Sequence, residues 1–230
     1  MRLDKYLADN TELSRSLAKR ELKNGTITCD GVMVKSSSFQ VTEDTDVCWN
    51  HETVGVIHTR YLMLNKPVDT LCSNIDEVYP SVLGLIDLPL TERLRIAGRL
   101  DADTTGLVLL SEDGKWCHRI TSPNYQCPKC YRVQLAEPLC ATAEAQLAQG
   151  IELHGDGLTR PASLERLSDT EVRLTISEGK YHQVKRMFAA LNNRVVGLHR
   201  EQVGAVTLDE SLAPGEWRAL TQAEIDAFNR

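Results

Sequence analysis

The chain has 230 residues, 42% of them hydrophobic and 25% charged, with a formal net charge of -6 at pH 7. That is the composition of a folded globular chain, long enough to bury a sizeable core as one domain or as a small module plus a larger one. It excludes a disordered or low-complexity chain, and no fixed-period repeat indicates a solenoid.

Taken from the N-terminus, Met1-Arg2-Leu3-Asp4-Lys5-Tyr6 carries charge where a signal peptide needs its apolar stretch, and no apolar run reaches the length that crosses a bilayer. A cytoplasmic location and no membrane contact are expected. Ser14 is a good N-cap for a helix through Leu17, Ala18, Glu21 and Leu22, and Asn24-Gly25 supplies its stop. On that helix Arg15, Lys19 and Lys23 form a stripe about 80° wide, placed either to grip phosphates or simply to be solvated. Thr26 to Cys29 and Val32 to Val34, separated by Asp30-Gly31, carry the strongest hairpin signal in the chain. Ser36-Ser37-Ser38 and the acidic stretch 43–46 close this segment, and 51–60 reads as a connector without periodicity. Two domains are expected, 1–58 and 59–230.

The second domain opens with Tyr61-Leu62-Met63-Leu64-Asn65-Lys66-Pro67, a strand stopped by proline. Leu107-Val108-Leu109-Leu110 reads as a buried strand running into a turn at Ser111-Glu112-Asp113-Gly114. Tyr131 to Leu135 and Val172 to Ile176 alternate with period two, and Ala141 to Gln149 is helical and halted by Gly150. Val184, Met187, Phe188 and Leu191 mark one amphipathic helix, and Thr221-Gln222-Ala223-Glu224 is a capping box opening the last. The patterns indicate an α+β domain whose strand order stays open.

The net charge argues against a nucleic-acid partner only if its distribution is ignored. Residues 179–200 contain Lys180, Lys185, Arg186, Arg194 and Arg200 without one acid, as do 114–136 with Lys115, Arg119, Lys129 and Arg132. Acids gather instead in 43–52 and 201–226, so a basic face on an acidic protein is expected. The seven cysteines are odd in number and scattered, unlike a secreted disulfide framework, and are expected to be reduced. Cys127-Pro128-Lys129-Cys130 has the spacing of a zinc half-site or a redox dithiol, but no second pair completes four ligands.

Three elements carry chemistry. Asp101 lies in the loop Gly98-Arg99-Leu100-Asp101-Ala102-Asp103-Thr104-Thr105-Gly106-Leu107 that enters the core; Tyr131 heads a strand; Lys185 adjoins the apolar face of its helix. A carboxylate in an apolar wall tends to protonate, and a neighbouring lysine would keep it charged and usable as a nucleophile. A tyrosine is suited to stack on a base, although a half-buried strand aromatic is equally ordinary.

Residues Arg2-Leu3-Asp4-Lys5-Tyr6-Leu7, Ser14-Arg15, Gly25 and Val32 resemble the S4 RNA-binding fold. That resemblance implies that Arg15, Lys19 and their neighbour Arg2 touch RNA backbone, the main source of sequence-independent affinity. Gly98-Arg99-Leu100-Asp101 with Thr104-Thr105-Gly106-Leu107, Met63-Leu64-Asn65-Lys66-Pro67, and Gly179-Lys180-Tyr181-His182-Gln183-Val184-Lys185-Arg186-Met187 resemble, in order, three signatures of the pseudouridine synthases of the small-subunit rRNA type. The implied fold is α+β, a small N-terminal S4-like RNA-binding module followed by a mixed, largely antiparallel-sheet catalytic domain.

The implied reaction converts a uridine within RNA to pseudouridine by breaking N1 to C1′ and joining C5 to C1′, with no cofactor and no metal. Asp101 corresponds to the nucleophile, attacking ribose C1′ or uracil C6. Tyr131 would stack on the uracil and Lys185 would pair with Asp101. Arg99 would hold the RNA open once the uridine is flipped, and Thr104, Thr105 and Arg186 are further candidate RNA contacts. The family's Lys-Thr-Tyr is here Lys129-Cys130-Tyr131, which weakens a metal reading of the cysteine pair. Asp103 is expected to be a supporting loop residue and His182 a surface or RNA-contact histidine. The implied partner is small-subunit rRNA or an assembling small-subunit particle, acted on by a monomer, and the implied position is uridine 516. A large-subunit rRNA synthase of the same family and a non-catalytic rRNA-binding assembly factor are the alternatives. A carboxylate in a cationic RNA cleft counts against the latter.

Overall fold

The computed structural model describes residues 1–229 and divides into two compact units, Met1–His58 and a second from Thr59 onward. In the first, α1 (Leu3–Asn10) and α2 (Arg15–Asn24) precede β1 (Ile27–Cys29), β2 (Val32–Met33), β3 (Val47–Trp49) and β4 (Glu52–Thr53). The Ser14 hydroxyl accepts from the Leu17 amide, and Gly25 closes α2 at φ +79°, so cap and stop fall where their chemistry places them. Asp30 and Gly31 both take positive φ, as a two-residue hairpin turn between β1 and β2 requires. β3 follows the acidic stretch 43–46 and β4 lies in the 51–60 connector; both are too short to show a period. Leu3, Leu7, Ala18, Leu22, Ile27 and Val47 form this unit's core.

The second unit contains β5 (Tyr61–Lys66), β6 (Arg95–Ile96), β7 (Thr105–Ser111), α3 (Gly114–Thr121), β8 (Lys129–Leu135), α4 (Ala143–Gln149), β9 (Glu152–Leu153) and β10 (Gly157–Leu158). It continues through β11 (Ser163–Arg166), β12 (Glu171–Ile176), α5 (Gln183–Ala190), β13 (Val195–Val203), β14 (Val206–Thr207), β15 (Trp217–Ala219) and α6 (Gln222–Asp226). The main sheet runs β11-β12-β8-β13-β7-β5-β15, with β14 on β13 and β6 on β7. Its pairings are antiparallel except β13 with β7, which makes the fold α+β with a mixed, largely antiparallel sheet.

Side-chain alternation explains why β5 and β7 read as continuous apolar runs. Leu62, Leu64, Val108 and Leu110 enter one core, while Met63, Leu107 and Leu109 enter a second on the opposite face. Helices α4 and α5 contribute Ala143, Leu147, Val184, Met187 and Phe188 to the first core. In the second, Trp116 of α3 meets Tyr61 and Phe228 edge-on at 5.2 Å and donates its indole N–H to the Ile225 carbonyl. The turn expected at 111–114 ends β7 at Ser111 and leads directly into α3, whose N-cap Asp113 accepts from the amides of Lys115 and Trp116. The helix expected from Ala141 begins at Ala143. Among the described residues no helix is long and apolar enough to cross a membrane.

One register line positions the site. Arg200 of β13 lies opposite Tyr131 on one side and opposite Gly106 on the other. Gly106 has φ +103°, and a Cβ there would sit 2.4 Å from the Arg200 carbonyl oxygen. Gly106→Ala is therefore expected to lower the unfolding free energy by about 3–5 kcal/mol in a urea titration. Gly155→Ala, at φ +82° with nothing within 4 Å, should lose only about 1 kcal/mol. Equal losses would overturn this account of Gly106.

Candidate active site

The loop between β6 and β7 carries Asp101, and two buried cations hold it. Lys66, 0% exposed, donates to the carbonyls of Thr104 (2.8 Å), Pro67 (3.0 Å) and Ala102 (3.2 Å), so all three ammonium protons are used. Burial pushes the Lys66 ammonium below its ordinary value. Arg200, 1% exposed, reaches under the loop from β13; its Nε donates to the Leu107 carbonyl and its Nη2 to that of Gly98, at 2.8 and 2.9 Å. Both ends and the middle of the loop are thereby tied to the sheet, and Leu100 is buried in the first core beside the carboxylate. Leaving one such buried carbonyl without a donor would cost about 1–3 kcal/mol.

The opposite wall is α5. Its apolar residues face the core, which turns Lys185 toward the loop. Lys185 Nζ donates to Asp101 Oδ2 at 2.9 Å and to Asp103 Oδ1 at 2.7 Å. Burial opposes the Lys185 charge, but the hydrogen bonds to Asp103 and Asp101 outweigh it and raise the group above its usual 10.5. The hydrogen bond from Lys185 holds the Asp103 carboxyl below its usual 3.8. His182, at the N-cap of α5 with φ +47°, places Nε2 3.4 Å from Asp101 Oδ1. Tyr131, 8% exposed, looks across from β8. Asp101, Lys185, His182 and Tyr131 line an open cleft of about 100 Å³ together with Arg99, Thr104 and Gln183.

The structure thus brings Arg99, Asp101, Thr104, Tyr131 and Lys185 to one cleft. Thr104 is 1% exposed and its hydroxyl has no hydrogen-bond partner, while the Thr105 hydroxyl is engaged with His199 Nδ1 at 2.8 Å. Arg186 pairs with Asp156 and donates to the carbonyls of His154 and Tyr181, which ties the β9–β10 hairpin to α5. In the first unit Arg2 forks onto the buried Asp4, Lys19 lies 3.8 Å from the same carboxylate, and Arg15 and Lys19 are exposed. Asp103 shares Lys185 on equal terms with Asp101, so it is more than loop support. His182 touches Asp101 rather than standing apart on the surface. Neither follows from spacing, because one depends on where a loop turns and the other on a left-handed residue. The seven cysteines are free, and burial pushes the Cys127 thiol up, away from the thiolate a metal ligand needs.

The family model described as RNA pseudouridylate synthase matches residues 60–190, and the S4 domain model matches 1–47. The chain is 51% identical over 227 residues to ribosomal small subunit pseudouridine synthase A of Salmonella typhimurium, covering 98% of each chain. It belongs to the RNA pseudouridylate synthase family. The protein of the same name from Escherichia coli is 50% identical at the same coverage. A crystal structure of a pseudouridylate synthase, 49% identical, superposes with a TM-score of 0.72 over 99% of both chains. The synthase is accordingly an isomerase with an S4 domain at its N-terminus.

The shared lysine of the synthase gives its site a defined pH window. The stability contributed by Asp103 is complete above 3.8 and is lost as pH falls through the lowered folded value. The Lys185 contribution is complete below 10.5 and is lost as pH rises through the raised value. Asp103→Asn should therefore lower Tm modestly at neutral pH, since the pair is partly exposed. Calorimetry should find the difference from wild type shrinking as pH drops below 3.8; a difference unchanged at acid pH would sink the idea.

Proposed function

We propose that the synthase isomerises one uridine of the small-subunit rRNA during ribosome biogenesis, with Asp101 as nucleophile. The observation that carries this reading is the meeting of a lysine-paired carboxylate, a tyrosine and an exposed arginine in one cleft. Its support for the small subunit is the printed name of relatives about 50% identical over 98% of the chain. Uridine 516 is the position the family resemblance points to.

In the proposed reaction the uridine is flipped from the RNA and its uracil lies against Tyr131. Lys185 holds the Asp101 carboxylate through a 2.9 Å hydrogen bond, and the carboxylate attacks ribose C1′ or uracil C6. The N1–C1′ bond breaks, the uracil turns within the cleft, C5 bonds to C1′, and the bond that Asp101 made to C1′ or C6 breaks to return the free carboxylate. The hydrogen on C5 leaves as a proton and N1 ends protonated, so the electron count is unchanged and no oxidant or reductant is consumed. Arg99, exposed at the rim, contacts the RNA beside the flipped nucleotide. Arg2, Arg15 and Lys19 of the S4 domain hold the backbone elsewhere, and Thr104, Thr105 and Arg186 shape and support the cleft. A monomer working in the cytoplasm, where rRNA is assembled into subunits, is the proposed form.

The test is tritium release from RNA labelled at uracil C5. Wild type should release label from small-subunit rRNA, and Asp101→Ala should lose at least about 10³-fold in kcat. Equal release from both would remove Asp101 from the mechanism, and release only from large-subunit rRNA would move the substrate to the other subunit.

The two walls of the proposal also separate binding from turnover. Lys185→Ala should depress kcat far more than RNA affinity. Arg15→Ala with Lys19→Ala should weaken binding and flatten the slope of log K against log salt by roughly 1–2, leaving kcat at saturation close to wild type. The reverse pattern would overturn this division.

A further inference from the structure

We propose that Tyr181 is an outer stacking platform for the nucleobase next to the flipped uridine, and that His182 is the positioning residue that holds it beside Asp101. The proposal rests on the RNA-isomerase reading of the cleft and extends it to a second nucleotide.

Tyr181 is 74% exposed at the cleft rim, whereas Tyr61, Tyr131, Trp116 and Phe228 are packed into the cores or half-buried against them. Its ring is nevertheless not loose. It lies 3.8 Å from the His182 ring at an interplanar angle of 20°, so one face is covered and the other is open to solvent. The backbone on either side is held: the Tyr181 carbonyl accepts from Arg186, and the Lys180 amide donates to Gln183 Oε1. The left-handed conformation of His182 turns its ring between Tyr181 and the Asp101 carboxylate. A ring fixed before its ligand arrives loses less side-chain freedom on binding.

The chemistry creates a need for such a ring. Extruding a uridine leaves its neighbour without a stacking partner, and Tyr131 is occupied by the uracil itself. An aromatic ring at the rim replaces the lost stack with whatever base is adjacent, since every base presents a π-face. The Tyr181 hydroxyl has no part in this, which separates stacking from phosphate binding by a phenol.

The experiment uses the full-length synthase and a small-subunit rRNA fragment carrying 2-aminopurine immediately 5′ or 3′ of the mapped target uridine. Wild type should quench the fluorophore at one of the two positions. Tyr181→Ala should abolish that quenching and raise KM about tenfold, with kcat at saturation changed far less. Tyr181→Phe and Tyr181→Trp should restore both, and His182→Ala should raise KM as Tyr181→Ala does because the platform loses its backing. Quenching and KM unaltered in Tyr181→Ala would overturn the proposal. So would failure of Tyr181→Phe to rescue, which would assign the role to the hydroxyl. A wild type that releases no tritium from any rRNA would instead overturn the function proposed above, so the two failures are distinguishable.

Discussion

Two buried cations determine where the Asp101 carboxylate stands. Lys66 and Arg200 approach the 98–107 loop from different strands and satisfy its carbonyls from below. A loop normally leaves such carbonyls to water, and here water is replaced by the buried cations of the two strands that flank β7. Breaking either contact would strand a buried polar group, so the loop has one low-energy path and Asp101 one position. Gly106 is the complement of this arrangement, because only a residue without a Cβ lets the Arg200 backbone come close enough. The same Arg200 is the register partner of Tyr131, and one row across the sheet thus aligns the support of the Asp101 loop with the Tyr131 ring.

The α+β class was legible because the informative elements obey local rules. β8 and β12 alternate visibly, β7 is apolar on both faces, and Ser14 and Thr221 cap helices as such residues should. The illegible parts are those decided by tertiary context. β13 carries bulges and is half-buried along most of its length, so its residues show no period. Lys66 and Arg200 defied reading for a simpler reason: nothing local distinguishes a buried cation from a solvated one, and the solvated case is far commoner. Asp101, Tyr131 and Lys185 stood out from their loop, strand and helix positions, and resemblance to other sequences supplied their roles, while the shared grip of Lys185 on Asp103 and the approach of His182 needed coordinates.

An acidic protein that handles RNA resolves its contradiction by placement. The buried Asp4 gathers Arg2 and Lys19 in the S4 domain, and the carboxylates of the cleft are each answered by Lys185. Arg132, Arg173, Glu165, Glu171 and Glu201 neutralise one another across the sheet. Much of the formal charge is thus consumed internally, and the total of -6 says little about the potential that an approaching phosphate meets.

The anchoring of the loop has a further consequence for the proposed isomerisation. Exchanging N1 for C5 at the sugar requires something to swing through a large angle between the two bond events. Asp101 hangs from a clamped loop and Tyr131 is woven into the sheet, so neither can follow a moving partner. In the proposed reaction the protein is therefore the stator and the severed uracil the rotor: a ring turning in its own plane against a fixed aromatic surface, beside a carboxylate held in place by its loop.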